Sequence, residues 1–262
     1  RTADGWGKLA DGADAIVNLA GASLNHRWTP RYKEIIRQSR INAGHAVVEA
    51  VRKADRKPDA VIQASGAGCY GPRGSQIITE EAAFGDGFLG RTAKVWEAST
   101  AAVEEHGVRR AITRSGVVLS TDDGAFPLLA LPFRLFVGGP LGSGRQWFPW
   151  IHMEDEIRAI RFLIDDQTAA GPFNLSAPNP VTNATFSRLL GRGMGRPGFI
   201  RVPAVALRLV LGEMSTVVLH GQRAIPRRLL DLGFQFRFSE AEEALHDLLR
   251  SGDGPDQDRS RS

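Results

Sequence analysis

Three apolar runs in this 262-residue chain end alike, on small or polar residues. Asn18-Leu19-Ala20-Gly21 closes the first, Ala64-Ser65-Gly66 the second, and the run from Ser115 to Ser120 is the third. Val17 and Leu19 suit a buried strand, but Asn18 brings an amide, and Ala20 and Gly21 leave bare backbone. Small residues at a strand end let a flat ligand approach the main chain, and Asn18 and Ser65 add hydrogen-bonding groups. Any one of these ends is equally a plain strand stop. Three in one sheet point to a shared ligand.

Arg40 is the sharper clue. It falls on the same helical stripe as Ile36, Ala43, Val47 and Val51, where burying a guanidinium without an anion is expensive. It snorkels to the surface, pairs with a carboxylate, or grips a ligand phosphate in forked geometry. Other reactive types read more quietly. Cys69 has no neighbouring His or Lys in sequence to activate it and suits a small buried filler. Asp155, after His152, suits the positive end of a helix. His26, Arg27 and Trp28, in the loop after the opening strand, would face a substrate, or Trp28 anchors the helix that follows; the anchor is the preferred reading.

The elements that would position these groups alternate. A helix is expected over 31–53, capped by Thr29 with Pro30 at its first position. Strands are expected over 59–66, 110–120 and 171–178, and helices over 91–106 and 153–166. The Gly-rich stretch 67–90 is long enough to border a site. Strand–helix–strand order implies right-handed crossovers and a doubly wound α/β parallel sheet over residues 1–178. A smaller α-rich portion is expected over 179–250, with helices at 183–194, 204–211, from about 215 and at 239–250, and a strand at 199–202. The tail 251–262 has no apolar residue and reads as disordered.

Composition narrows the function classes. Thirty-three basic residues stand against 29 acidic ones, a net charge of +4, with no run of five Lys/Arg, which argues against a nucleic-acid partner. No apolar stretch approaches the roughly 20 residues of a membrane span. A single cysteine rules out an internal disulfide and fits a reducing, cytoplasmic setting. The oligomeric state is not legible.

"DAIVNLAG", "SRINAG" (with Asn42 and Gly44) and "SGAGCYG" resemble segments of extended short-chain dehydrogenases/reductases. "NHRW", "RSGVVLS", "PFRLFVGGPLGSGRQWFPWIH" and "RVPAVALRLVLGEMSTVVLHGQRAIPRRLLDLGFQFRF" are similar to the epimerase-like subgroup labelled NADP-binding and atypical, of the U type, whose C-terminal segment has no assigned function. The resemblance runs from about residue 13 to residue 250. It implies a Rossmann-like fold and an NADP cofactor, with NAD the alternative. It also implies a small-molecule, sugar-like substrate for an oxidoreductase or epimerase. Leu19, Ala20 and Gly21 would lie under the adenosine and ribose, Arg40 near the phosphates or ribose, and Leu119 near the nicotinamide. Ser65 and Asn18 are placed there by position.

Two departures from that pattern matter. The family opens on a strand and a G-x-x-G-x-x-G turn that holds the pyrophosphate, and no such string precedes Asp14. With Arg1 rather than Met in front, a processed product or a piece of a longer one, lacking a first βαβ unit, is expected. The usual Tyr-x-x-x-Lys pair is also missing: "FLGRTAKVWE" puts Leu89 at the tyrosine position and Ala93 at the lysine position, with Lys94 one residue off. Tyr70 reads mainly as structural. The catalytic residues are therefore unassigned, and a non-catalytic NADP(H)-binding sensor or scaffold is the competing expectation.

Overall fold

A computed structural model describes residues 2–252 of the chain. Strand β1 (Ala15–Asn18) leads to helix α1 (Pro30–Lys53), then β2 (Ala60–Gly66) and the two-residue β3 (Ile77–Ile78). Helix α2 (Phe88–Ala98), β4 (Arg109–Ser115), β5 (Val117–Leu119) and α3 (Ala125–Arg134) follow. Then come β6 (Trp147–Phe148), β7 (Trp150–His152), α4 (Met153–Asp165) and β8 (Gly171–Leu175). The C-terminal part holds β9 (Val181–Thr182), α5 (Asn183–Gly193), α6 (Ala204–Leu211), α7 (Ser215–Leu219), β10 (Arg223–Ala224), α8 (Arg227–Asp231) and α9 (Ala241–Gly252).

The main sheet has the order β1-β2-β4-β8 and every pairing in it is parallel. Alternation along β2 shows why both faces are covered. Val61 packs with Val47 and Val51 of α1, while Ala60 and Ile62 pack with Ala159 and Leu163 of α4. This is the expected doubly wound, Rossmann-like arrangement. Helix α1 starts as its sequence signals demand: the Thr29 hydroxyl accepts the Tyr32 N–H at 3.2 Å, with Pro30 leading the helix.

The C-terminal residues pack into the same body. Leu119 and Trp150 share a core with Phe186, Leu190, Leu245 and Leu248. Strand β10 pairs in parallel with β3, and both oxygens of the buried Asp155 carboxylate accept backbone N–H groups from Arg237 and Phe238 at 2.8 Å.

Several elements differ from expectation for local reasons. The strand expected over 110–120 is two strands in two sheets, broken at Gly116: the Gly116 N–H goes to Leu175 O and the Val117 N–H to Pro149 O. The helix expected over 91–106 starts earlier, at Phe88, and stops at Ala98. There the Ser99 hydroxyl donates back to Trp96 O at 2.6 Å, a side-chain bond that competes with helix continuation, and a 3₁₀ turn covers Ala101–His106. Residues 199–202 form no strand; Val202 makes only a single bridge to Leu141. Helix α3, which contains Pro132, is not among the elements expected from the sequence. The tail expected to be disordered lies, from 253 on, outside the described residues.

Candidate functional site

The carboxyl ends of the sheet strands open onto a cavity of about 400 Å³, within the range of small-molecule sites. Its floor is Ser65–Gly68 at the end of β2 and Ser115–Val117 at the β4/β5 break. One wall is α1 and α2, and the opposite wall is the segment 146–149 with residues 216–222 from the C-terminal part. Gly116 is required at the break, because a Cβ there would overlap the carbonyl oxygen of Pro149. Helices α1 and α2 meet as closely: a Cβ on Gly44 would overlap the Ser99 hydroxyl. The expected site-bordering loop does border it, through Ala67, Gly68 and Leu89.

Of the residues singled out in the sequence, the fold brings Arg40 and Ser65 to this cavity. Arg40 is 8% exposed. Its Nη1 donates to Ala22 O at 3.0 Å and Ile36 O at 3.1 Å, and its guanidinium lies 4.7 Å from the Trp96 ring centre. Among the described residues it forms no salt bridge. The surface and carboxylate alternatives are therefore both excluded there. Burial lowers its pKa from the usual arginine value, with Tyr32 opposing. A Cβ on Gly21 would come within 2.9 Å of Arg40 Cζ, which ties the end of β1 to this guanidinium.

The β1 end itself stands beside the cavity lining. Asn18 is buried and shapes that end: its Nδ2 donates to Gln63 Oε1 at 2.9 Å and its Oδ1 accepts the Ala20 N–H at 3.3 Å. Leu19, Ala20 and Gly21 are exposed. Leu119 is fully buried in the core and presents no surface to the cavity. The sequence reading placed it near a nicotinamide, but the β5 strand turns its side chain toward Phe126 and Trp150 instead.

Ser65 is committed to a buried network. Its hydroxyl donates to Glu97 Oε1 at 2.6 Å, and Glu97 pairs with Arg114. Arg114 Nη1 donates to Tyr70 Oη at 3.1 Å, and Tyr70 Oη donates to Asn174 Oδ1 at 2.6 Å. Tyr70 is fully buried and its pKa is raised, chiefly by that burial. It does not line the cavity, in keeping with the structural reading. Burial pushes the Cys69 thiol up to about 12. Trp28 is buried, donates Nε1–H to Leu24 O at 3.0 Å and packs edge-on against Phe88, as an anchor should. His152 caps α4 through Nδ1.

Leu89 and Ala93 both line the cavity beside Thr92 and Trp96, so the wall where a Tyr-x-x-x-Lys pair would face the ligand is largely apolar and has no titratable group. Ser115, Gln146 and Gln222 also line it, and were not singled out in the sequence as site residues. Gln146 Nε2 donates to Leu141 O and Val218 O, both at 2.9 Å, while its Oε1 is buried without a partner among the described residues. Among the described residues no His/Cys/Asp/Glu cluster suits a metal ion, and no helix is long and apolar enough to cross a membrane.

Comparison with known proteins places this arrangement. Residues 202–248 match a family model described as a domain of unknown function, DUF1731. An epimerase family protein of Staphylococcus aureus (strain NCTC 8325 / PS 47) is 42% identical over 248 residues, covering 94% of this chain and 83% of the relative. One of Staphylococcus haemolyticus is 42% identical over 247 residues, with 94% and 83% covered. The structure of human epimerase family protein SDR39U1 (isoform 2) with NADPH superposes with a TM-score of 0.86 at 34% identity, over 94% of this chain and 86% of that one. A nucleoside-diphosphate sugar epimerase from Corynebacterium glutamicum gives 0.75 at 34% identity, over 92% of this chain and 47% of that one. The chain thus belongs to the epimerase family, an atypical, epimerase-like branch of the short-chain dehydrogenases/reductases that carries the DUF1731 segment at its C-terminal end.

Proposed function

We propose that the protein binds NADP(H) across the strand ends and acts as an epimerase-like oxidoreductase on a small, hydroxyl-bearing substrate in the cavity. Arg40 carries this reading. A buried guanidinium without a carboxylate, beside a glycine that leaves it open, is what a ligand phosphate needs. The NADPH in the structure of the human relative supports the choice of dinucleotide. Asn18 to Gly21 would lie under the adenosine half, with Arg40 at a phosphate or ribose and Ser65 on the floor. When bound, the cofactor would supply or accept a hydride at a carbonyl or alcohol carbon. The protein's own part is to orient and to exclude water: the apolar Leu89–Ala93 wall keeps the reacting face dry, and Gln146 Oε1 offers an acceptor to a substrate hydroxyl.

The apolar wall also favours a second reading, an NADP(H)-binding sensor without turnover. Calorimetric titration decides the binding. NADPH should bind, weakly where the Gly-rich turn expected before Asp14 is missing, and Arg40→Leu should weaken it a further ~10- to 100-fold, about 1.4 to 2.7 kcal/mol. An unchanged affinity in Arg40→Leu would remove the basis for the proposal. NADPH oxidation against a panel of aldehydes and ketones separates the two readings: turnover selects the oxidoreductase, and binding without turnover selects the sensor.

A further inference from the structure

The end of β4 and the first turn of α4 bring together a hydroxyl at the cavity floor and a buried carboxyl outside its lining. Ser115 is the last residue of β4, held in register between Gly66 of β2 and Leu175 of β8, and it lines the cavity. Its Oγ–H donates to Glu156 Oε1 at 2.6 Å. Glu156 is 9% exposed, and its Oε2 is buried with no hydrogen-bond partner among the described residues. Leaving such an oxygen unpaired costs stability. An apolar residue in that turn would avoid the cost.

We propose that Ser115 and Glu156 are the proton-supply pair of this cavity, Ser115 delivering a proton to a substrate carbonyl oxygen and Glu156 replenishing it. The inference rests on the reading of the cavity as the site of hydride transfer. The carbonyl carbon receives a hydride with its electron pair from a reduced nicotinamide, and the C=O π bond opens onto oxygen. That oxygen takes the Ser115 proton, Ser115 Oγ takes the Glu156 proton, and Glu156 is left as a carboxylate that solvent reprotonates. The carbonyl is reduced to an alcohol and the nicotinamide is oxidised. The reverse direction runs the same transfers backwards.

Three features of the surroundings support the pair. Leu89 and Ala93, with Thr92 and Trp96 beside them, leave the α2 wall without a titratable group. Burial pushes the Glu156 carboxyl up to about 7, with the Ser115 hydroxyl opposing, which keeps a proton on it near neutrality. Glu156 forms no ion pair among the described residues, and the charges near it are engaged elsewhere. Helix α4 packs on β2, β4, β5 and β7, of which β2 and β5 carry no ionisable side chain. On β4, Arg109 donates to Leu163 O and Ile164 O, Arg110 pairs with Glu104, and Arg114 pairs with Glu97. On β7, His152 faces Asp247 at 3.4 Å. On α4 itself, Glu154 pairs with Arg237, Asp155 with Arg158 and Arg161 with Asp165.

Infrared difference titration of the whole chain, without ligand, tests the pair directly. Wild type should show a protonated-carboxyl band that titrates near pH 7 and is missing from Glu156→Gln. In Ser115→Ala, which removes the bond to the carboxylate, the midpoint should move to higher pH. A midpoint below pH 5, or one indifferent to Ser115→Ala, overturns the proposal. The kinetic arm uses NADPH with phenanthrenequinone as the carbonyl probe. Ser115→Ala and Glu156→Gln should each lower kcat about 100-fold with NADPH affinity unchanged, Glu156→Gln should flatten the pH profile around 7, and Ser115→Thr should restore most of the rate. Wild-type turnover that survives both variants overturns the pair while the nucleotide site stands. NADPH binding without turnover does the same. Failure of the wild type to bind NADPH sinks the nucleotide reading instead, and with it the proton-supply role, even where the infrared band behaves as expected.

Discussion

The Arg114 guanidinium meets the Glu97 carboxylate side-on, Nε to Oε1 at 3.0 Å and Nη2 to Oε2 at 2.9 Å, with both side chains under a tenth exposed. This pair joins α2 to the central strand β4 and also holds the Ser65 hydroxyl through Oε1. Removing one partner of a buried pair leaves the other charge uncompensated. Glu97→Gln should therefore lower unfolding free energy by about 3 kcal/mol, seen as a lower urea midpoint with an unchanged slope. A Glu97→Leu/Arg114→Met double variant should recover part of that loss. An indifferent Glu97→Gln would show that the network contributes little to holding the floor.

Tyr70 sits one bond further along the same network. Tyr70→Phe leaves Asn174 Oδ1 and an Arg114 N–H each short of a partner, at a cost of about 1 to 3 kcal/mol. Because its ring lies outside the cavity lining, NADPH affinity and any turnover should stay within about twofold of wild type, since no bond to ligand is lost. Thermal unfolding and a binding titration on the same preparation check both halves. A folded variant that loses turnover would return Tyr70 to the list of proton donors.

What the sequence made legible is what depends on local chemistry. Thr29 and Pro30 mark the start of α1 because capping is a short-range effect. Arg40 stands out because a guanidinium on an apolar stripe breaks a pattern, and it is buried without a carboxylate among the described residues. The motif strings of the C-terminal part correctly indicated the family. What failed depends on contacts distant in sequence. "SGVVLS" is one apolar run, and only the approach of Pro149 makes Gly116 the point where it changes sheets. The family resemblance implies a place for Leu119 near the nicotinamide, whereas its side chain is fully buried in the core beside Phe126 and Trp150. Glu156 lies in the acidic stretch "MEDE", which reads as an ordinary first turn of a helix. Its burial becomes visible only when β4 is set against α4.

Gly116 provides a steric test of that break. A Cβ would overlap Pro149 O and press on Pro149 C, so the 146–149 wall must move outward. Gly116→Ala should cost about 1 to 3 kcal/mol as an overpacking defect. It should also weaken NADPH binding, because the wall that moves is part of the cavity. Gly124→Ala has open space around its Cβ but a φ of +89°, so it should lower stability through backbone strain and leave binding unchanged. Measuring both variants separates a shifted cavity wall from general destabilisation.

The Glu156 carboxyl gives the stability curve a sign that can be worked out. Burial raises its folded-state pKa to about 7 from the ordinary carboxyl value of 4.5. Between those two pH values the folded chain holds the proton more tightly than the unfolded chain. The contribution of this group to stability is thus full below about pH 4.5 and declines as pH rises through 7. The shift corresponds to about 3 kcal/mol lost across that window. Glu156→Gln cannot ionise and escapes that loss. Relative to wild type it should gain about 3 kcal/mol between pH 5 and pH 8, read as a widening difference in urea midpoints between the two proteins. Taking the difference cancels the titration of every other group the two share. A gap that stays constant from pH 5 to pH 8 would show that Glu156 does not hold its proton in the folded chain, and that Ser115 has no acid behind it.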